Sequence, residues 1–421
     1  MLKDVVLRQK KEKEDFIKPQ YIERTQDVLG KKWLDSNLIK VILGPRRAGK
    51  SIFSLMLLKD RSFAYFNFDD EILTSSKGIS TDELMKELHA VYGDTKNIFF
   101  DEIQNLPNWE LFVNRLHREG YNLILTGSNA KLLSKELATT LTGRYIPIEI
   151  LPFNFKEFLR AKGFIIENNL LPQKHGELLK LMEEYLINGG FPEVIVKKLD
   201  SKEYLDVLFD SVLFKDVVKR YKVRFSVQIG NLGSHLVNSF SSLYSLRKLQ
   251  DILGLKSVTT VEKYTKYLEE AYLIFSLLRY SPKSLQRIRS PKKVYVVDNG
   301  FIGAKAIQHS PDKGKLMENL VFLELIKRGL EPNHDIFYFK TKTGKEIDFV
   351  IKNETVVSQL IQSSYDIENQ DTEKREISAL QEASRELKTK DVLILTWDTE
   401  KEIKENNLTI KFQPIWKWMM E

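Results

Sequence analysis

The sequence predicts an α/β protein: a parallel-sheet domain at the front, a helical middle, and a second mixed α/β domain at the back. Three patterns carry this expectation. Short β-branched or aromatic runs, Ile39–Leu43, Phe63–Phe68, Asn97–Phe100, Leu123–Thr126 and Tyr145–Ile150, alternate with helical stretches, as buried parallel strands and their crossover helices do. From Phe153 to about Val223 apolar residues recur at three-to-four spacing, as in Leu178, Leu181, Met182 and Tyr185, with a break at Gly189-Gly190-Phe191-Pro192. Strand-like runs then return at Ile336–Lys340, Glu346–Ile351, Val356–Gln362 and Val392–Thr396, after a helix around Met317–Arg328.

The chain divides into five parts on this reading. Residues 1–35 are charged and helix-permissive, a lead-in; 36–152 form the sheet domain; 153–224 are helical. Residues 225–282 read as short helices, with Thr259–Leu268 the clearest, followed by a strand at Ala271–Leu278. Short helices before a hairpin are the layout of a winged helix. A basic segment, Ser281–Lys293, leads into a strand at Val294–Val297 and the C-terminal domain, 283–421.

Composition sets the outer limits. A length of 421 residues with 42% apolar and 29% charged residues suits several globular domains. There are no cysteines, so disulfides, thiolate metal sites and a cysteine nucleophile are excluded. The first residues lack the continuous apolar core of a secretory signal, and no apolar run reaches the roughly 18 residues of a membrane span. The expectation is a cytoplasmic protein with no membrane partner. The formal charge of +7 permits a nucleic-acid partner without requiring one.

One segment carries explicit chemistry. Val41-Ile42-Leu43 runs into Gly44-Pro45-Arg46-Arg47-Ala48-Gly49-Lys50-Ser51 and then an apolar helix, Ile52–Leu58. In Gly-x4-Gly-Lys-Ser the glycines let backbone N–H groups wrap around phosphates, Lys50 places a charge on the β and γ oxygens, and Ser51 offers a hydroxyl to Mg²⁺. The apolar strand Asn97–Phe100 ends in Asp101 and Glu102. That pairing suits Asp101 to holding Mg²⁺ and Glu102 to activating water; nucleotide binding alone does not need Glu102. Leu123–Thr126 is tipped by Gly127, Ser128 and Asn129, so Ser128 or Asn129 is the candidate γ-phosphate sensor. ATP and Mg²⁺ are the expected ligands.

These residues resemble the archaeal and bacterial AAA+ ATPases that carry a C-terminal domain of restriction-endonuclease-like type. The likeness runs through Gly44–Ser51, Phe99–Glu110, Leu125–Ala130, Leu141–Tyr145, Leu151–Phe158, Gly189–Glu193, Met317–Glu324 and Gly344–Ile351, nearly the whole chain. It implies a P-loop AAA+ sheet of the ASCE type, a helical lid at 153–224 and a nuclease-like fold at 283–421. It also implies that Arg144 acts as an arginine finger or γ-phosphate sensor, and that the protein is a homo-oligomer if Arg144 acts in trans.

In restriction-endonuclease-like sites a helix Glu, a strand Asp and a Glu-x-Lys pair surround a divalent metal. Glu318 and Asp348 match the first two, but Gln362 and Ser364 stand in the Glu and Lys places, which makes cleavage doubtful and the site degenerate. DNA is the expected partner, from Lys256, Lys263 and Lys266, from Lys215, Lys219, Arg220 and Lys222, and from Lys283, Arg287, Arg289, Lys292 and Lys293 in the basic segment. The rival readings are an ATP-operated switch that binds a protein partner, and an active metal-dependent nuclease.

Overall fold

The computed structural model describes residues 2–18, 21–70, 79–128, 143–166, 171–306 and 312–421; the candidate sensor Asn129 lies outside them. The chain forms two compact units, Met1–Pro152 with Glu270–Tyr272, and Phe153–Glu269 with Leu273–Glu421. Among the described residues no helix is long and apolar enough to cross a membrane.

The first unit is built on five strands, β1 (Ile39–Leu43), β2 (Phe63–Asn67), β3 (Asn97–Asp101), β4 (Asn122–Gly127) and β5 (Tyr145–Glu149). All pairs are parallel and the order is β2-β3-β4-β1-β5, so β4 lies between the strand that feeds the glycine loop and the strand that ends in Asp101. β1 to β4 are buried along nearly their whole length, which explains why they are largely apolar rather than alternating, whereas the edge strand β5 is half-exposed, with Pro147 and Glu149 facing outward. Val41, Phe66, Phe100 and Leu125 join Val5, Val6, Leu84, Phe112 and Leu116 on one face. Their strand neighbours Ile42, Tyr65, Phe99 and Ile124 join Leu34, Phe53, Leu57 and Leu58 on the other. Each such side chain contributes about 1.5–3 kcal/mol on burial. The N-terminal helix Leu2–Ile17 belongs to this packing: Val5 and Val6 are in the core, and Gln9 exchanges hydrogen bonds with the backbone of Asn67.

The second unit begins with helices Phe155–Ala161, Pro172–Asn188, Pro192–Lys197 and Ser201–Val212, the last continuing as a π-helical turn over Leu213–Lys219. Next come the helix Ser226–Asn238, β6 (Ser242–Tyr244), helices Leu246–Leu253 and Val258–Glu270, β7 (Ile274–Leu277) and β8 (Lys292–Val296), with an antiparallel sheet β6-β8-β7. The strand expected from Ala271 starts three residues later, because Tyr272 takes a left-handed φ of 55° between helix and strand. The basic segment expected as a linker contains a short helix, Ser284–Arg289, and its last two lysines open β8.

The C-terminal sheet contains β9 (Ile336–Lys340), β10 (Glu346–Asn353), β11 (Val356–Ser364), β12 (Val392–Thr396), β13 (Lys401–Glu405) and β14 (Leu408–Pro414), in the order β13-β14-β12-β11-β10-β9. β9, β10 and β11 are antiparallel neighbours, while β11, β12 and β14 run parallel. The helix Gln370–Leu387 lays Ala379, Leu380 and Ala383 onto this sheet.

A buried polar network joins the helices to the strands of this unit. Asp298 accepts the Gly190 N–H at 2.7 Å and the Gly300 N–H at 2.9 Å. Asn299 donates to the Leu186 and Leu316 carbonyls, and Asn319 bonds both the N–H and C=O of Val296. This explains the break at Gly189-Gly190. Gly189 has φ 73°, and a Cβ there would lie 1.7 Å from an Asp298 oxygen; a Cβ on Gly190 would lie 2.3 Å from the Phe153 carbonyl. Asp298→Ala strands two buried donors and is expected to cost about 2–4 kcal/mol, read as a lower urea midpoint by circular dichroism.

Candidate functional site

The glycine loop leaves the C-terminal end of β1 and turns directly into the helix Lys50–Leu58, whose N-cap is Gly49 with φ 94°. Gly44 has φ 142° and no room for a side chain, since a Cβ would lie 2.0 Å from the Ile150 carbonyl oxygen; Arg47 also takes a left-handed φ of 67°. The loop is therefore shaped by backbone that only glycine adopts freely at its two ends, opening onto a helix N-terminus that favours anions. Lys50 is buried and donates to the carbonyls of Gly44 (3.0 Å) and Pro45 (2.8 Å), folded over the loop. Arg46 pairs with Asp69 at 3.7 Å, Arg47 is exposed and Ala48 is buried.

Parallel register brings β3 and β4 to the same end. The Ser51 hydroxyl donates to Asp101 Oδ1 at 3.0 Å, and the Thr126 hydroxyl donates to that same oxygen. Burial, then the neighbouring charge of Glu102, pushes the Asp101 carboxyl up to about 6, against the pull of Thr126, Ser51 and Lys50. Glu102 sits just past the strand with a left-handed φ of 51°, strained for a side-chain-bearing residue, and its N–H is fixed by the Thr126 hydroxyl at 2.9 Å. Gln104 donates to its carboxylate. Ser128 directly follows β4 and is buried. So Gly44–Ser51, Asp101, Glu102 and Ser128 converge at one edge of the sheet.

Arg144 does not join them. It precedes β5, which pairs with β1 from Ile39↔Tyr145, and its carbonyl accepts the Ile39 N–H. That places it at the opposite end of β1 from the loop, separated by a strand of about 16 Å. Its guanidinium donates to Asn114 Oδ1 at 2.8 Å.

Two residues were missed by the sequence reading. Arg24, from the supposed lead-in, is buried and donates to the carbonyls of Ala48 (3.0 Å) and Leu151, tying the glycine loop to the end of β5's chain. Thr126 orders both Asp101 and Glu102. An isolated arginine before the sheet has no local signature; only the tertiary placement reveals its role.

The C-terminal acids also come together. Glu318 projects from the helix Lys313–Lys327, and Glu346 and Asp348 from β10. Asp348 Oδ2 accepts the Ser363 N–H at 3.0 Å. Gln362 accepts the Asp348 N–H (3.1 Å) and donates to Glu376 (2.7 Å). Lys293, expected to be part of an accessible basic segment, is instead buried among these acids, 2.8 Å from Glu318, 2.7 Å from Glu346 and 3.1 Å from Asp348. Position 293 of β8 faces inward, so this charge is withdrawn from any surface. Burial would lower the Lys293 ammonium, but Glu318, Asp348 and Glu346 outweigh it and hold it well above the ordinary lysine range. Arg220 likewise pairs with Asp216 at 3.4 Å.

With this geometry in place, comparison with known proteins defines the class: residues 36–159 match a family described as an AAA domain, so the first unit is the core of an AAA-type protein with a parallel-sheet P-loop fold. Residues 179–311 and 313–418 match two domains of unknown function, DUF8612 and DUF4143. An uncharacterized protein of Methanocaldococcus jannaschii, MJ1544, is 38% identical over 91% of this chain and 88% of its own length. An uncharacterized protein of Haemophilus influenzae is 32% identical over 76% of this chain and 80% of its own. The chain belongs to the family of these two proteins. The solved Walker-type ATPase PABY2304 of Pyrococcus abyssi is similar at 16% identity over 68% of this chain and 96% of that one, with a TM-score of 0.48.

Arg24→Ala removes charge-assisted hydrogen bonds worth about 1.5–3 kcal/mol. It is expected to raise hydrogen exchange of the 44–51 amides roughly tenfold or more by mass spectrometry, with the amides of β12 unaffected.

Proposed function

We propose that this protein is an Mg²⁺-dependent ATPase that hydrolyses ATP to ADP and phosphate and acts on DNA as a homo-oligomer. The observation that carries the hydrolysis reading is the register that sets Asp101 and Glu102 beside the loop of Lys50 and Ser51. The loop N–H groups and Lys50 bind the phosphates, so Lys50 must exchange its carbonyl partners for phosphate oxygens. The Ser51 hydroxyl and Asp101 carboxylate, 3.0 Å apart, are hard oxygen donors of the kind Mg²⁺ prefers, and these two residues would hold it. When bound, the ion neutralises charge on the phosphate oxygens.

Glu102 is the general base. Its fixed backbone and its hydrogen bond from Gln104 hold the carboxylate near the loop, where it accepts a proton from the attacking water. Ser128, at the tip of β4, is the candidate γ-phosphate sensor among the described residues. Arg144, at the far end of β1, is too distant to serve the nucleotide of its own loop; as an arginine finger it acts on a neighbouring protomer, which requires an oligomer. Glu102→Gln is expected to leave ATP binding within about threefold and to lower turnover at least 100-fold, measured by phosphate release; unchanged turnover would refute the ATPase reading.

The order helix, β6, helix, helix, β7, β8, with the short helix Ser284–Arg289 between the last two strands, supports a winged-helix reading, with Val258–Glu270 as the third helix and Lys263 and Lys266 exposed on it. The order helix, β9, β10, β11, helix, β12 supports the nuclease-like reading of the C-terminal part. Exposed Lys215, Lys219, Lys222, Lys256, Lys263, Lys266, Lys283 and Arg289 are the phosphate-contacting candidates. The double change Lys263→Glu and Lys266→Glu is expected to weaken duplex binding at least tenfold and to reduce the slope of log affinity against log salt by about 2, measured by fluorescence anisotropy. Wild-type protein that binds no single-stranded, duplex or four-way-junction DNA and hydrolyses ATP regardless of DNA would favour the protein-binding switch.

A further inference from the structure

Lys293 enters the acidic cluster from a different sheet. It is the second residue of β8, between Leu243 of β6 and Leu277 of β7 in register, whereas the acids belong to the Lys313–Lys327 helix and to β10. Its side chain is 3% exposed, and its three ammonium protons face three carboxylate oxygens, Glu318 Oε1, Glu346 Oε1 and Asp348 Oδ1, at 2.7–3.1 Å. The neighbouring Tyr295 hydroxyl donates to the same Glu318 oxygen at 2.7 Å, and the Tyr295 ring stacks on Phe322 with centroids 4.0 Å apart. The lysine is thus fixed by its strand, by its three partners and by the packing beside it.

With the Lys293 ammonium in place, these positions do not fit a divalent metal. Mg²⁺ draws oxygens to about 2.0–2.1 Å and keeps several waters, whereas the oxygens here converge on a buried nitrogen at ammonium distances. Two cations cannot share that point. Other oxygens around the cluster are engaged as well: the second Asp348 oxygen accepts the Ser363 N–H, the second Glu346 oxygen lies 3.5 Å from the Lys340 ammonium, and the Gln362 amide accepts the Asp348 N–H and donates to Glu376. Ser364 is buried and brings no positive charge.

We infer that Lys293 is the resident cation of this cluster: its ammonium occupies the place where a divalent ion would otherwise sit, so the C-terminal domain takes no metal and cleaves no phosphodiester. The acids serve instead to clamp β8 onto β10 and the Lys313–Lys327 helix, joining the small sheet to the large one. Removing one partner from such a buried cluster is strongly destabilising, because the others are left uncompensated. The inference stands apart from the ATPase reading, since none of these residues belongs to the glycine-loop site.

The test is Mn²⁺ binding to the full-length, nucleotide-free chain, followed by the loss of the free-ion EPR signal. Four proteins are compared: wild type, Asp348→Asn, Lys293→Met and the double variant. Wild type and Asp348→Asn are expected to bind Mn²⁺ identically, so that no bound ion depends on Asp348. Lys293→Met is expected to gain one Mn²⁺ per chain, at least tenfold tighter than any wild-type binding, and the double variant to lose it. A wild-type Mn²⁺ ion that disappears with Asp348→Asn overturns the inference, as does Asp348-dependent nicking of plasmid DNA in Mg²⁺ or Mn²⁺. A folded Lys293→Met protein that gains no Mn²⁺ overturns it equally. Should Lys293→Met fail to fold, the comparison of wild type with Asp348→Asn still decides the matter.

Discussion

Taking a carboxylate out of water is among the most costly steps in folding, and both polar centres of this chain are organised around it. In the first unit Asp101 is buried beneath two hydroxyls, and burial raises its carboxyl to about 6. In the second unit burial, followed by the charge of Asp348, raises the Glu318 carboxyl above its ordinary value, and Lys293 pulls it back. The two centres meet the same cost differently. Asp101 lies at the C-terminal end of β3 beside the glycine loop, where the proposed Mg²⁺ would supply the balancing charge. Glu318, Glu346 and Asp348 enclose a cation that the chain itself provides.

The first centre depends on β1. Its burial on both faces fixes where the strand ends, and its end fixes where the loop begins. Parallel pairing then puts the ends of β3 and β4 at the same edge, so Asp101 and Thr126 meet without any local sequence relation. Thr126 orders both acidic positions with one hydroxyl, accepting from the Glu102 N–H and donating to Asp101. The left-handed backbone at Glu102 is held by that bond, a local strain at the residue proposed as the base. Arg24 adds a restraint from behind, through the Ala48 carbonyl.

The second unit relies on a different device, buried amides and a carboxylate that bond backbone rather than ligand. Asp298, Asn299 and Asn319 bridge the helical segment, β8 and the Lys313–Lys327 helix, and Lys293 enters the cluster from the same strand. β8 is therefore shared: it completes the three-stranded sheet and anchors the acidic residues of the C-terminal domain. Polar groups this deep are favourable only when all are satisfied together, which makes this junction an all-or-none feature of the fold.

The sequence alone determined the strand runs of the front domain, the glycine loop with Lys50 and Ser51, and the Asp101-Glu102 pair. These are local signals: period, apolar content and a contiguous motif with its own backbone requirement. The Gly189-Gly190 break was legible as a break, but its cause, the approach of Asp298 from 108 residues away, was not. Only tertiary structure decided that Arg24 braces the loop, that Arg144 lies at the wrong end of β1 for its own loop, and that Lys293 is a buried counter-ion. The physical reason is the same in each case. A charged side chain reads identically in sequence whether it faces water or a carboxylate, and its environment is set by strands and helices that pair across long stretches of chain.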